Sequence, residues 1–201
     1  MLKNSYYRWV IFWPLMLYDL IRWIIKHRQI PLPFLLKRHI LLSYIKNNNL
    51  DYFIETGTCY GDMLAGIKNH VEKAISVEID ENLHHAASDR FINDEHVKII
   101  LGDSADILPA IIKEIDKPTL FYLDAHYSGS VTGRGKTDTP LLSELKLLSK
   151  MNIKNHVILI DDARHLGKNG YPTYFEIKEL FDLKEVSIHN KKDIIRIEPY
   201  R

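Results

Sequence analysis

Cysteine is almost missing from this chain. Cys59 is the only one among 201 residues. No disulfide framework can form within the chain, a Cys/His structural zinc site is excluded, and a lone thiol fits a reducing compartment. A cytoplasmic setting is therefore expected. No Gly-x-Gly-x-x-Gly occurs anywhere, which removes the usual backbone cradle for a dinucleotide pyrophosphate and counts against a nicotinamide oxidoreductase. A net charge of only +1 excludes a broadly basic nucleic-acid binder, so no nucleic-acid partner is expected. Internal repeats and low-complexity tracts are absent. The length suffices for one good core and one principal domain.

The small net charge hides an asymmetry. Residues 1–40 carry seven Lys/Arg against the single Asp19, a local charge of +6 that leaves −5 for the remainder. The same segment is apolar from Trp9 to Tyr18, and Leu20, Ile21, Trp23, Ile24 and Ile25 extend the run. Asp19 and Arg22 interrupt it and Pro14 is expected to kink a helix, so the roughly 20 apolar residues of a bilayer span are barely reached. Arg22, Lys26, His27 and Arg28 follow the run, where a signal peptide would have small residues. Tryptophans beside Lys and Arg suit a lipid headgroup region. Two compatible expectations result: a helical lid or homo-oligomer contact, and a peripheral contact with the inner face of a membrane. Pro31 and Pro33 punctuate the junction, 35–46 reads as a helix, and Asn47-Asn48-Asn49 stops it. The division expected is an arm over 1–46 and a domain over 47–201.

Beyond the arm, strand and helix patterns alternate. Leu50, Tyr52 and Ile54 alternate with polar positions in a β-branched, aromatic run, which predicts a strand. Further strands are predicted over 74–80, 97–101, 120–124 and 156–160. Helices are predicted over 60–71, 81–90, 105–115, 140–150 and 172–181, with Asp138 or Thr139 capping the fourth of these. Residues 185–189 and 193–198 form a closing hairpin around Asn190-Lys191-Lys192. Such alternation predicts an α/β fold, a parallel sheet with helices on both faces, to which the hairpin adds an antiparallel edge strand.

The most informative segment is Glu55-Thr56-Gly57-Thr58-Cys59-Tyr60-Gly61. It places an acid at a strand's carboxyl end and two glycines in the turn leading to a helix. Glycine permits a tight turn and close backbone approach to a ligand. An acid at this point suits a ligand with a cationic amino-acid end and no phosphate there, such as S-adenosylmethionine. Glu78 ends the next strand about 20 residues beyond the glycine turn, the usual place for an acid that holds ribose hydroxyls. Asp80 is the second candidate for that role and the better candidate for a helix cap. After the third strand, Asp103 or Ser104 stands where adenine would be met, with Ser104 equally able to cap the next helix.

Asp124 follows the fourth strand, and Asp161 and Asp162 follow the fifth. Adjacent parallel strands bring these carboxylates together, and clustered carboxylates repel unless a cation neutralises them. Oxygen ligands of this kind suit Mg²⁺. Asp162 and Arg164 read equally as a loop ion pair. The long loop from Tyr127 to Thr139 carries Arg134 and Lys136, cations suited to an anionic acceptor such as a sugar phosphate.

Together these motifs resemble the class I S-adenosylmethionine-dependent methyltransferases over residues 50–198. The turn is most similar to that of the small-molecule O-methyltransferases of the catechol and macrocin type. The resemblance implies a Rossmann-like seven-stranded sheet ordered 3-2-1-4-5-7-6. It implies that Glu55, Gly57, Thr58 and Gly61 hold the methionine part of the cofactor and Glu78 the ribose. It also implies a divalent ion on Asp124, Asp161 and Asp162. Macrocin-type enzymes have Asp-x-Asp after the fourth strand, the second Asp serving as base. Here Asp124-Ala125-His126 puts a histidine at that position, and an imidazole near neutrality suits the task. Tyr127, Arg134 and Lys136 would face the acceptor. The activity implied is metal-assisted O-methylation of a hydroxylated small molecule or glycan sugar. The alternative is a membrane-surface interaction protein that keeps a cofactor-binding fold without turnover.

Overall fold

The computed structural model describes residues 5–27, 30–125 and 139–200. Two helices come first, α1 (Ser5–Ile25) and α2 (Phe34–Asn48). Strands and helices then alternate as β1 (Tyr52–Thr56), α3 (Asp62–Ile67), β2 (Lys73–Glu78), α4 (Glu81–Arg90), β3 (Val97–Leu101), α5 (Ser104–Lys113) and β4 (Thr119–Leu123). The chain closes with α6 (Leu141–Leu148), β5 (His156–Ile160), α7 (Tyr174–Leu180), β6 (Val186–Lys191) and β7 (Ile194–Pro199). The seven strands form one sheet in the order β3-β2-β1-β4-β5-β7-β6.

Parallel strands covered by helices on both faces read as unbroken apolar runs, and Leu120–Leu123 and Val157–Ile160 are such runs. Alternation along each strand divides them between two cores. Ile54, Phe121, Leu123, Ile158 and Ile160 pack with Leu108 of α5, Leu145 and Leu148 of α6 and Ile177 of α7. Phe53, Leu120, Tyr122, Val157 and Leu159 pack on the opposite face with Leu41 and Ile45 of α2 and Leu64 and Ile67 of α3. Burial of each such side chain contributes roughly 1.5–3 kcal/mol. The second helix of the arm thus covers a face of the sheet.

Several expectations shift in detail. The second strand ends at Glu78, because Asp80 caps α4 by accepting from the amides of Asn82 and Leu83 at 2.9 and 3.0 Å. The helix expected over 60–71 begins only at Asp62, and Lys68–His70 tightens to a 3₁₀ turn. Pro140, not Thr139, occupies the cap position of α6, while the Thr139 hydroxyl accepts from the Leu141 amide at 3.3 Å. Asp138 lies outside the described residues. The closing turn is Lys192-Asp193, both at positive φ, as two-residue hairpins favour. The antiparallel strand is β7, which lies between β5 and β6; β6 forms the edge. Pro14 is accommodated within a helix assigned continuously from Ser5 to Ile25.

Candidate functional site

The β1–α3 turn sits where the carboxyl ends of β1, β2 and β4 meet. Gly57 has φ +87°, and a Cβ there would lie 2.7 Å from the Asp124 carbonyl oxygen and 3.1 Å from the Ala125 Cα. Only glycine lets the turn pass so close to the chain leaving β4. Gly61 has φ +71°, and a Cβ on it would meet the Phe91 ring at 2.7 Å. The space saved by both glycines is filled by protein, so their first task is to fix the turn.

Glu55 and Glu78 flank that turn, both almost fully buried. Ser76, the β2 register partner of Glu55, donates to Glu55 Oε2 at 2.7 Å and lies 2.6 Å from the Thr58 hydroxyl. Burial pushes the Glu55 carboxyl up to about 8; the Ser76 hydrogen bond opposes this and the charges of Asp124, Glu78 and Asp62 reinforce it. Glu78 accepts from the backbone amides of Cys59 at 2.7 Å and Asp80 at 2.9 Å, one on each oxygen. Each oxygen keeps acceptor capacity for a further donor.

Beyond β3 the cap of α5 is Asp103, not Ser104 as the sequence suggested: Asp103 accepts from the Ala105 amide at 3.0 Å. Ser104 is the first residue of α5 and donates to Glu144 Oε1 at 2.5 Å. Burial pushes Glu144 up to about 7, with the Ser104 and Thr56 hydroxyls opposing and Asp103 adding to the rise. Glu144 escaped the sequence reading because it sits inside a helix pattern with nothing to mark its face. It lines a narrow crevice with Asp124, Thr139, Asp161 and Tyr171. A larger cavity, of about 500 Å³, lies at the far end of α2 between Tyr44, Asn48, Glu198 and Tyr200, away from these carboxylates.

The three aspartates do converge. Asp124 continues the strand face of Tyr122, and Asp161 continues that of Leu159, the face covered by α2. The Asp161 carboxylate has no exposed side-chain surface and receives the Tyr122 hydroxyl. The charge among them comes from the arm. Lys37, in the first turns of α2, places Nζ 2.5 Å from Asp161 Oδ2 and 3.3 Å from Asp162 Oδ1. Burial alone would lower the Lys37 pKa, but Asp161, Asp124 and Asp162 outweigh it and raise it, so the ammonium stays charged. Burial, then Asp124, pushes Asp161 up to about 7 against the pull of Lys37. Arg164 donates to Asp162 Oδ1 at 2.7 Å and also pairs with Asp193, so the loop ion pair read from the sequence is present.

Among the described residues, no group of three or more His, Cys, Asp or Glu side chains is arranged to hold a metal ion. Asp161 Oδ2 and Asp162 Oδ1, expected to ligate Mg²⁺, instead accept from Lys37, and Asp162 Oδ1 also from Arg164. These residues as they stand do not fit the divalent ion that the resemblance implied. Lys37 gave no sequence signal, being one of seven cations in the arm. Tyr122 had one, the period-two spacing to Asp124. The proposed base His126 and the acceptor residues Tyr127, Arg134 and Lys136 lie outside the described residues.

No family model and no curated protein sequence matches the chain. Solved structures do. The S-adenosylhomocysteine-bound methyltransferase PaMTH1 of Podospora anserina is 13% identical, with 90% of this chain and 87% of that one covered at a TM-score of 0.60. An O-methyltransferase from Bacillus cereus in complex with S-adenosylhomocysteine is 14% identical, covering 91% and 90% at 0.59. TomG from Streptomyces achromogenes, an O-methyltransferase involved in tomaymycin synthesis and bound to S-adenosylmethionine, is 12% identical, covering 80% and 78% at 0.57. At these identities the likeness is one of fold.

Proposed function

We propose that this chain, which has the class I S-adenosylmethionine-dependent methyltransferase fold, is a methyltransferase that modifies an oxygen of a small hydroxylated acceptor, a glycan sugar among the candidates. The observation that carries the reading is the pair of buried acids, Glu55 and Glu78, flanking a glycine turn at the carboxyl ends of β1 and β2. Such a crevice is where open α/β sheets bind ligands. The residues fit the cofactor's chemistry. Glu55, held neutral by burial, gains a partner when a cationic amino-acid end arrives, and Gly57, Thr58 and Gly61 shape the turn around it. Glu78 has acceptor capacity for ribose hydroxyls, and Asp103 and Ser104 are the proposed contacts to the adenine. S-adenosylmethionine supplies a methyl group on a positively charged sulfur.

The chain's own part is positioning and proton removal. The acceptor oxygen forms its bond to the methyl carbon as its proton leaves for a base and the carbon–sulfur bond breaks. His126 is the proposed base and Asp124 the other proposed catalytic residue, and Tyr127, Arg134 and Lys136 are the proposed acceptor contacts. The exposed apolar face of α1 supports a second assignment, a peripheral contact of the arm with an anionic membrane surface. That contact fits a cytoplasmic enzyme working beside the inner face of a membrane, and it is also what an interaction protein without turnover would use.

Calorimetry with S-adenosylhomocysteine and with NAD tests the assignment. Saturable binding of the first and none of the second is the expected result. NAD binding with no response to S-adenosylhomocysteine would overturn it. Labelled cofactor with a panel of sugars, nucleotide sugars, catechols and RNA then separates an enzyme from a binding protein.

A further inference from the structure

We infer that Lys37 is the built-in cation of this site, standing where metal-dependent methyltransferases use a divalent ion, so that the transfer here runs without one. The inference rests on the proposed function only for the name of the reaction; the geometry is independent of it. Asp124, Asp161 and Asp162 meet at the ends of β4 and β5, where mutual repulsion demands positive charge. Lys37 brings one positive charge to Asp161 and Asp162, and Arg164, which Asp162 shares with Asp193, brings part of a second.

The occupancy is specific. Lys37 Nζ lies against Asp161 Oδ2 and Asp162 Oδ1, the oxygens from the two neighbouring residues that would hold an ion. Mg²⁺ sits about 2.0–2.1 Å from its oxygens, so an ion on that pair would take the volume of the ammonium. Tyr122 donates to Asp161 Oδ2 as well, and Arg164 donates to Asp162 Oδ1. Asp161 Oδ2 and Asp162 Oδ1 would each have to give up these partners before a metal could bind them.

The position of Lys37 also has a cause in the fold. Leu41 and Ile45 bury α2 against the sheet, which fixes the helix with its first turns at the carboxyl ends of the strands. One and two turns before these residues, Lys37 is aimed at the carboxylates by the same face that packs the core. An ammonium donates three hydrogen bonds but is no Lewis acid. It can hold the carboxylates and an acceptor oxygen in place, while the lowering of a hydroxyl pKa is left to the base.

Mn²⁺ binding, read by electron paramagnetic resonance on full-length protein, tests this without an acceptor. Wild type is expected to take up no stoichiometric Mn²⁺ at millimolar concentration. Lys37→Ala, which bares the carboxylates, is expected to bind one Mn²⁺ at least about tenfold more tightly than wild type, and adding Asp161→Asn should abolish the gain. Lys37→Met keeps the apolar stem and serves the same purpose if the alanine variant fails to fold, as judged by circular dichroism. One Mn²⁺ per wild-type chain that disappears with Asp161→Asn overturns the inference. So does a folded Lys37 variant that gains nothing. S-adenosylhomocysteine calorimetry on the same samples reports separately on the methyltransferase assignment, so either idea can fail alone.

Discussion

Gly57 carries the sharpest constraint on any single residue. A methyl group there would stand 2.7 Å from a backbone carbonyl oxygen, which cannot swing away as a side chain can, at a φ of +87°. Holding a side chain in that conformation costs on the order of 1–3 kcal/mol before the clash is counted. Gly57→Ala is therefore expected to lower the unfolding free energy from urea denaturation by at least that much and to weaken S-adenosylhomocysteine binding. An unchanged midpoint would mean that the turn and the end of β4 are not packed as described. The sequence marked this glycine for a tight turn and a close approach to a ligand; the turn is present, and the chain leaving β4 lies against it. The neighbouring carboxylates were legible as a cluster. Their partner was not, because Lys37 is 124 positions from Asp161 and no local pattern links the two.

Among the elements, α1 is the least satisfied. Among the described side chains of α1, only Met16, Leu20 and Trp23 are half-buried, and Trp23 packs against the α2–α3 core. Trp13, Leu15, Leu17, Tyr18, Ile21, Ile24 and Ile25 remain exposed. No described helix is long and apolar enough to cross a membrane. An apolar face bordered by Arg22 and Lys26, in a segment of charge +6, matches an anionic surface, where each such cation contributes about 1 kcal/mol. Full-length protein is expected to float with vesicles rich in phosphatidylserine, and far less with purely zwitterionic ones. A chain lacking residues 1–30 should stay behind. Equal flotation of both chains, or none, leaves the lid and the dimer contact. The strands, by contrast, were plain in the sequence, because burial on two faces leaves an unbroken apolar run between turn residues.

For the whole molecule, the buried acids set a pH dependence. Glu55 and Glu144 have carboxyls raised from 4.5 to about 8 and about 7. The folded chain keeps protons that the unfolded chain has already released. Their stabilising contribution is complete below about 4.5 and is lost as pH rises through about 7 for Glu144 and about 8 for Glu55. The melting temperature of ligand-free protein is expected to fall between pH 5 and pH 8. Glu144→Gln should flatten the part of that fall below pH 7. A melting temperature that does not fall across the window would show that these acids are ionised in the folded state.

Sequence alone determined the alternation of strands and helices, the acid–glycine turn and the aspartates at the strand ends. Each is written in local periodicity or in a residue's own backbone freedom, which needs no distant partner. The caps were half legible: Asp80 was read correctly, whereas Ser104 was the cap expected for α5 and Asp103 is the residue that caps it. Tertiary structure decided what the carboxylates face. That depended on how α2 lies across the sheet, which is settled by Leu41 and Ile45 packing into the core. A cluster of like charges shows from sequence only that a cation is required. Whether that cation is an ion from solution or a lysine from the same chain is fixed by the path of the backbone.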